Sequence, residues 1–229
     1  MMAQMLLAAS NSTLLNGLTV YYALSDTSDA TGGGLTLTNH NTVTFSAGKV
    51  GNAANFVATS SQYFSRADSA AFQMGTGDFS IACWAKFTAT NNREITTYGS
   101  SGSSGYGIEM NGTGVVAFIS DGANNAFTTP IHAWNDGVWH LICSTVSRNA
   151  GAGTGTMICY VDNSVESTKN FTSIFASVNN ANGFFMATDK DATNFADVSI
   201  DEVAIANRVW TAAEVALFWN SGNGTTYPF

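Results

Sequence analysis

The chain has 229 residues and a mass of 24.0 kDa, and its 45% hydrophobic content is enough for one domain with a sizeable core. Only 10% of the residues are charged, against about 25% in an average soluble domain, so Ser, Thr, Asn and Gly must coat most of the surface. Sixteen acidic and eight basic residues give a net charge of −8 with no Lys/Arg cluster, which argues against a nucleic-acid partner, and no apolar run approaches the roughly 18 residues that span a bilayer.

From the N-terminus, residues 1–15 read as an apolar arm ahead of a domain at 16–229. Met1-Met2-Ala3-Gln4-Met5-Leu6-Leu7 has no basic region and too short an apolar core for a signal peptide. Its methionines would suit an adaptable contact with a neighbouring subunit, and a frayed terminus is the plainer alternative. Two prolines and twenty-two glycines then punctuate short segments rich in β-branched and aromatic residues. They predict strands at 18–24, 35–37, 43–45, 53–56, 63–66, 79–87, 93–98, 107–110, 115–119, 139–146, 156–161, 164–170, 184–188 and 198–205. Asn111-Gly112-Thr113-Gly114 and Asp162-Asn163 have the composition of hairpin turns. The two glycine-rich stretches, 99–107 and 149–155, lack the Gly-Lys-Ser/Thr ending of a phosphate loop and read as connectors.

Phe79, Ile81, Cys83, Ala85 and Phe87 alternate onto one face, which is a core face, and send Trp84 and Lys86 to the other. Cys83, Cys143 and Cys159 each lie mid-strand; an odd number with no nearby histidine reads as buried thiols rather than a zinc site. At the C-terminal end a strand, 199–205, leads to Thr211-Ala212-Ala213-Glu214, which has capping-box spacing. A short apolar helix should start there and stop at Ser221-Gly222-Asn223-Gly224. By period two, Asp201 shares a face with Val203 and Ile205, so its carboxylate must find a partner or stay protonated.

Five stretches in order carry a family resemblance: GKVGNAANF at 48–56, GTGDFSIACWAKF at 75–87, DGVWHLICSTV at 136–146, the YVDN turn at 160–163, and IDEVAIANRVWTAAEVALFWNSGNG at 200–224. The chain resembles the laminin-G-like jelly rolls of the concanavalin A-like lectin and glucanase superfamily over about residues 17–229. The resemblance implies an all-β, antiparallel two-sheet jelly-roll sandwich with a short C-terminal helix. It also implies a structural Ca²⁺ held by the final-strand aspartate, here Asp201, with carbonyls from the first-strand region and an early glycine loop. Asp26 is a further candidate ligand, and amide hydrogen bonding without an ion is the alternative for Asp201.

Retaining glycosidases of the superfamily need carboxylates about 5–5.5 Å apart, supplied as Glu-x-Asp-x-Glu on one strand. This chain has no such run, its five glutamates are scattered in sequence, and no nucleophile elbow is present. An enzyme is therefore not expected. Carbohydrate binding needs aromatic platforms beside amides or carboxylates. Candidates outside evident core positions are Trp134, Tyr106, Tyr98 and Phe127, with Asn125, Asn124 and Asp121 nearby; Trp134 also reads as a partly buried structural residue. The four Asn-x-Ser/Thr sequons fit chance in so Asn-rich a chain.

Together these features suggest a non-catalytic surface module of a bacteriophage particle, decorating capsid or tail and touching cell-surface glycans, with homo-oligomerisation open. Similarity of the Tyr227-Pro228-Phe229 ending to bacteriophage and marine bacterial sequences points the same way. The alternatives are a bacterial, extracellular carbohydrate-binding module and, behind it, a polysaccharide-degrading enzyme of the same fold.

Overall fold

The alternation at 79–87 does what it predicts: Phe79, Ile81, Cys83, Ala85 and Phe87 enter a core enclosed by two antiparallel sheets. The computed structural model describes residues 12–229. Most of the predicted arm and the Asn11 sequon lie outside the described residues; Ser12–Leu15 forms one 3₁₀ turn.

Among the described residues fifteen strands follow in chain order: β1 (Leu18–Tyr22), β2 (Thr38–His40), β3 (Thr44–Ala47), β4 (Asn52–Phe56), β5 (Tyr63–Arg66), β6 (Phe79–Lys86), β7 (Arg93–Gly99), β8 (Ser104–Asn111), β9 (Gly114–Asp121), β10 (Asn125–Phe127), β11 (His140–Asn149), β12 (Thr154–Val161), β13 (Ser164–Phe171), β14 (Phe184–Met186) and β15 (Val198–Ala206). The eight-stranded sheet runs β13-β12-β11-β6-β15-β4-β3, with β1 also on β15; the seven-stranded sheet runs β10-β9-β8-β7-β14-β5-β2. The predicted strand at 35–37 falls three residues early: Leu35 and Leu37 fill the core from irregular backbone, and pairing starts only at Thr38. The three-residue β10 escaped sequence reading because so short a segment gives alternation nothing to act on.

A second apolar layer covers the outer face of the eight-stranded sheet. Tyr21, Trp84, Leu141, Cys143 and Ala204 lie there beneath α1 (Ala212–Trp219) and the chain end. Thr211 and Glu214 close the predicted capping box, and Asn220, left-handed at φ 49°, stops the helix one residue earlier than expected. Arg208 pairs with Glu214 at 2.7 Å and donates to the Thr13 and Asn16 carbonyls, tying the opening turn to the helix. Tyr227 stacks on Tyr21 at 5.1 Å, and Phe229 meets the same ring edge-on at 5.2 Å. All three cysteines are buried and unpaired.

One irregularity matters for the site. Along one edge, β15 is partnered first by β4, at 198–200, and then by β1, at 203–206. Between these stretches Glu202 takes φ 50° in a bulge, and the register against β6 slips between Asp201 and Ala204. The bulge re-phases the strand. Val203 and Ile205 face the inter-sheet core, whereas Asp201 stands opposite Trp84 on the outer face, correcting the expectation that all three share a face.

Candidate functional site

The outer face of the seven-stranded sheet can be read directly from its register. One row crosses every strand: Thr38, Ser65, Phe185, Thr97, Gly107, Phe118 and Phe127. Their chain neighbours Phe64, Phe184, Tyr98, Tyr106 and Ile119 point into the core, so by alternation this row points outward. Phe185 and Phe127 are half-buried, and Phe118 leans over Gly107, where an added Cβ would sit 2.7 Å from its ring. Thr97 and Phe118 are closed to solvent, so the accessible rings of the row are Phe185 and Phe127, four strands and therefore about 19 Å apart. Flanking rows carry Gly99, Gly105, Ser120 and Asn125 on one side, and Glu94, Glu109 and Val116 on the other.

This geometry sorts the predicted ligand residues. Tyr98 and Tyr106 are fully buried between the sheets and present no ring to solvent, which overturns their expected role as sugar platforms. Tyr98 donates its hydroxyl to Asp68 Oδ1 (2.7 Å) or the Asn180 carbonyl (2.8 Å), and Tyr106 donates to the Phe72 carbonyl at 2.8 Å. Asn125 does lie on the outer face, on edge strand β10, where its amide donates to the Ser101 carbonyl. Trp134 lies elsewhere: its backbone amide bonds Thr113 O beyond the far end of β9 from Ser120, the partner of Asn125. Roughly 20 Å of strand separates the two, too far for one sugar ring to touch both. The indole is half-buried against the inter-sheet core, with His140 tilted against it at 4.9 Å and His132 at 5.8 Å.

Glu94 and Glu109, far apart in sequence, stand directly opposite one another on β7 and β8. The hairpin register, Gly99 on Gly105 and Thr96 on Ile108, would set Ile95 against Glu109; a bulge at Ile95 replaces it with Glu94. Opposed residues have Cβ atoms about 5 Å apart. Burial, and then the neighbouring Glu94 charge, push the Glu109 carboxyl up to about 7, while Glu94 is raised chiefly by burial.

Asp201 is fully buried. Its Oδ2 accepts the amides of Lys49 and Val50 at 2.8 and 2.9 Å, while Oδ1, like Glu202 Oε2, is buried without a hydrogen-bond partner. Burial raises Asp201 to about 7 and Glu202 to about 8. The turn bearing Asp26 abuts the same loop, since a Cβ added at Gly51 would lie 3.4 Å from Ser25 Oγ. Asp26 itself is exposed and caps the Ser28 amide. The orphaned Asp201 Oδ1 has the chemistry a hard cation takes, although among the described residues no three His, Cys, Asp or Glu side chains converge, so carbonyls would supply the remaining ligands.

His140 lies between two carboxylates, Nδ1 at 2.6 Å from Asp162 and Nε2 at 3.1 Å from Asp136. Burial opposes its charge, but the two carboxylates prevail and hold its pKa above the ordinary value. With Asp201, Glu202 and Glu109, it belongs to a set that keeps protons in the native state which the unfolded chain releases. Each carboxyl of the set therefore adds stability below about pH 4 and loses it as pH rises through its folded value near 7–8; His140 loses its share above about pH 6.5. Asp121, Asp136, Glu166, Asp189 and Glu214 are depressed, and their contribution vanishes at more acid pH. Thermal denaturation is expected to give a maximum Tm near about pH 5 and a falling limb to pH 8; a Tm that climbs towards pH 8 contradicts the assignment.

The sequence model of a laminin-G-like family, described as the concanavalin A-like lectin/glucanases superfamily, matches residues 58–216, and the chain belongs to that family. No curated protein matches it in sequence. Among solved structures it is similar to the binding domain of Paraclostridial Mosquitocidal Protein 1, with TM-score 0.70, 12% identity and coverage of 89% of this chain and 52% of that one. It is also similar to the botulinum neurotoxin serotype D binding domain, with TM-score 0.68, 10% identity and coverage of 91% and 52%. The binding domain of botulinum neurotoxin DC in complex with SialylT matches with TM-score 0.66, 12% identity and coverage of 93% and 52%. The chain thus spans about half the length of these structures, and at such identities the likeness is one of fold.

Proposed function

We propose that the chain is a non-catalytic glycan-binding module that works on the surface of a bacteriophage particle, on capsid or tail. The observation that carries the binding role is the outward row on the seven-stranded sheet. Half-buried Phe185 and Phe127 offer apolar faces for sugar C–H groups, and Asn125 and the Glu94–Glu109 pair offer partners for hydroxyls. The sialylated ligand of one structural neighbour supports a saccharide as the ligand class. The virion location is supported by the sparsely charged sequence and by the similarity of Tyr227-Pro228-Phe229 to bacteriophage sequences. A structural calcium at Asp201 Oδ1, with Asp26 as a further ligand, belongs to the proposal; it would neutralise a buried charge and fasten the loop at 48–51 to β15. No helix among the described residues is long and apolar enough to cross a membrane.

A glycan array tests the binding role. Phe185→Ala is expected to weaken binding to neutral oligosaccharides by about tenfold while leaving the fold intact; uniform absence of signal for the native protein leaves only a structural role. Mass spectrometry of purified virions tests the location, and recovery of the protein only from culture medium favours a detached bacterial module. The opposed Glu94 and Glu109 favour one further reading, hydrolysis, because the register brings two carboxyl side chains together, one of them raised to about 7. Release of reducing sugar by the native protein, abolished in Glu109→Gln, would establish it.

A further inference from the structure

The outer face of the eight-stranded sheet holds a separate cleft of about 410 Å³ between the loop at 48–51 and the C-terminal segment, lined by Lys49, Asn220, Asn223, Thr226 and Phe229 among others. No carboxylate side chain lines it, although the chain carries a net charge of −8. Lys49 Nζ lies 4.6 Å from the centroid of Trp84 and makes no ion pair among the described residues. The backbone that carries it is fixed, since Asp201 holds the amides of Lys49 and Val50.

Beneath the cleft, and closed off from it, lies an unanswered donor. Trp84 is 1% exposed, yet its Nε1 has no hydrogen-bond partner. It lies beneath Gly224, a cleft residue at φ +75° whose added Cβ would stand 3.4 Å from that nitrogen. Around the rim, Asn220 and Asn223 each donate one amide hydrogen, to the Gly224 and Asn220 carbonyls, which fixes the side chains and leaves each with an acceptor oxygen. Thr226 is exposed and the Phe229 ring is half-buried. One cation, two amide acceptors, a hydroxyl and an aromatic edge match a sugar ring that bears a carboxylate.

We infer that this cleft is a second saccharide subsite, selective for a carboxylate-bearing sugar, with Lys49 Nζ pairing the carboxylate and Asn220, Asn223 and Thr226 bonding the hydroxyls. It rests on the glycan-binding reading above but uses the opposite side of the sandwich, so the two sites fail separately. Calorimetric titration with trigalacturonate, a neutral galactose trisaccharide and acetate is the test, on the native chain, Lys49→Met and Phe185→Ala. The methionine keeps the aliphatic stem over Trp84, and an unchanged Tm confirms folding; Asn223→Ala serves as a second cleft variant.

Native protein should bind trigalacturonate, and Lys49→Met should weaken that binding at least about tenfold while leaving the neutral sugar unaffected. Asn223→Ala should also weaken it, and Phe185→Ala should show the reverse pattern. Undiminished trigalacturonate binding by Lys49→Met overturns the subsite, as does its loss in Phe185→Ala alone. Acetate binding as tight as trigalacturonate reduces the site to an anion contact and also overturns it. Native protein that takes neutral sugar but no uronate keeps the sheet-face site and removes this one; the opposite outcome removes the sheet-face site.

Discussion

Asp201→Ala is expected to lower stability by about 2–4 kcal/mol, a fall of about 5–15 °C in Tm, because it strands the Lys49 and Val50 amides that its Oδ2 accepts. Asp201→Asn keeps an acceptor for both amides and removes the ionisable group that burial raises to about 7. It should therefore lose less than the alanine variant and draw level with the native protein above pH 7, where the native carboxylate is charged and only half satisfied. Chelator separates the two accounts of this residue. If an ion sits on Oδ1, EDTA destabilises the native protein and shrinks the gap to Asp201→Ala. An equal gap with and without EDTA assigns the whole effect to amide hydrogen bonds.

Tyr106→Ala is expected to cost about 3–5 kcal/mol, the usual range for removing a buried aromatic ring. Its ring packs 4.5 Å from Phe79 and 5.4 Å from Tyr98, at the centre of the inter-sheet core. Tyr106→Phe isolates the hydroxyl: it leaves the Phe72 carbonyl without its donor and should cost about 1–2 kcal/mol with saccharide binding unchanged. Weakened binding at unchanged stability would return Tyr106 to the role of platform.

Most strand positions and the hairpin turns were legible because alternation and turn chemistry are local. Phe79 to Phe87, the Asp162-Asn163 turn and the Thr211–Glu214 box each state their structure within a few residues. The binding face was less legible, for two physical reasons. Tyr106 shares parity with Ile108 and Met110, so its burial was readable from the same rule that placed Cys83, once the strand is extended back to Ser104. The meeting of Glu94 with Glu109, and the turn of Asp201 away from Val203, were not readable. Both depend on a bulge, an inserted residue that shifts register by one, and neither Ile95 nor Glu202 carries the glycine that would advertise it. Phe185 was hidden differently: in the Phe184-Phe185 pair, only the partners across β14 decide which ring turns outward.

The pairing of β1 with β15, fastened by Arg208 and by the rings of Tyr227 and Phe229 over Tyr21, gathers the turn at Ser12–Leu15 and the segment at 220–229 on one flank. A support that gripped these two segments would hold the molecule from the eight-stranded side. The aromatic row of the other sheet would then look away from the anchor, into the surrounding medium, and many copies mounted in this way would turn the same surface outward.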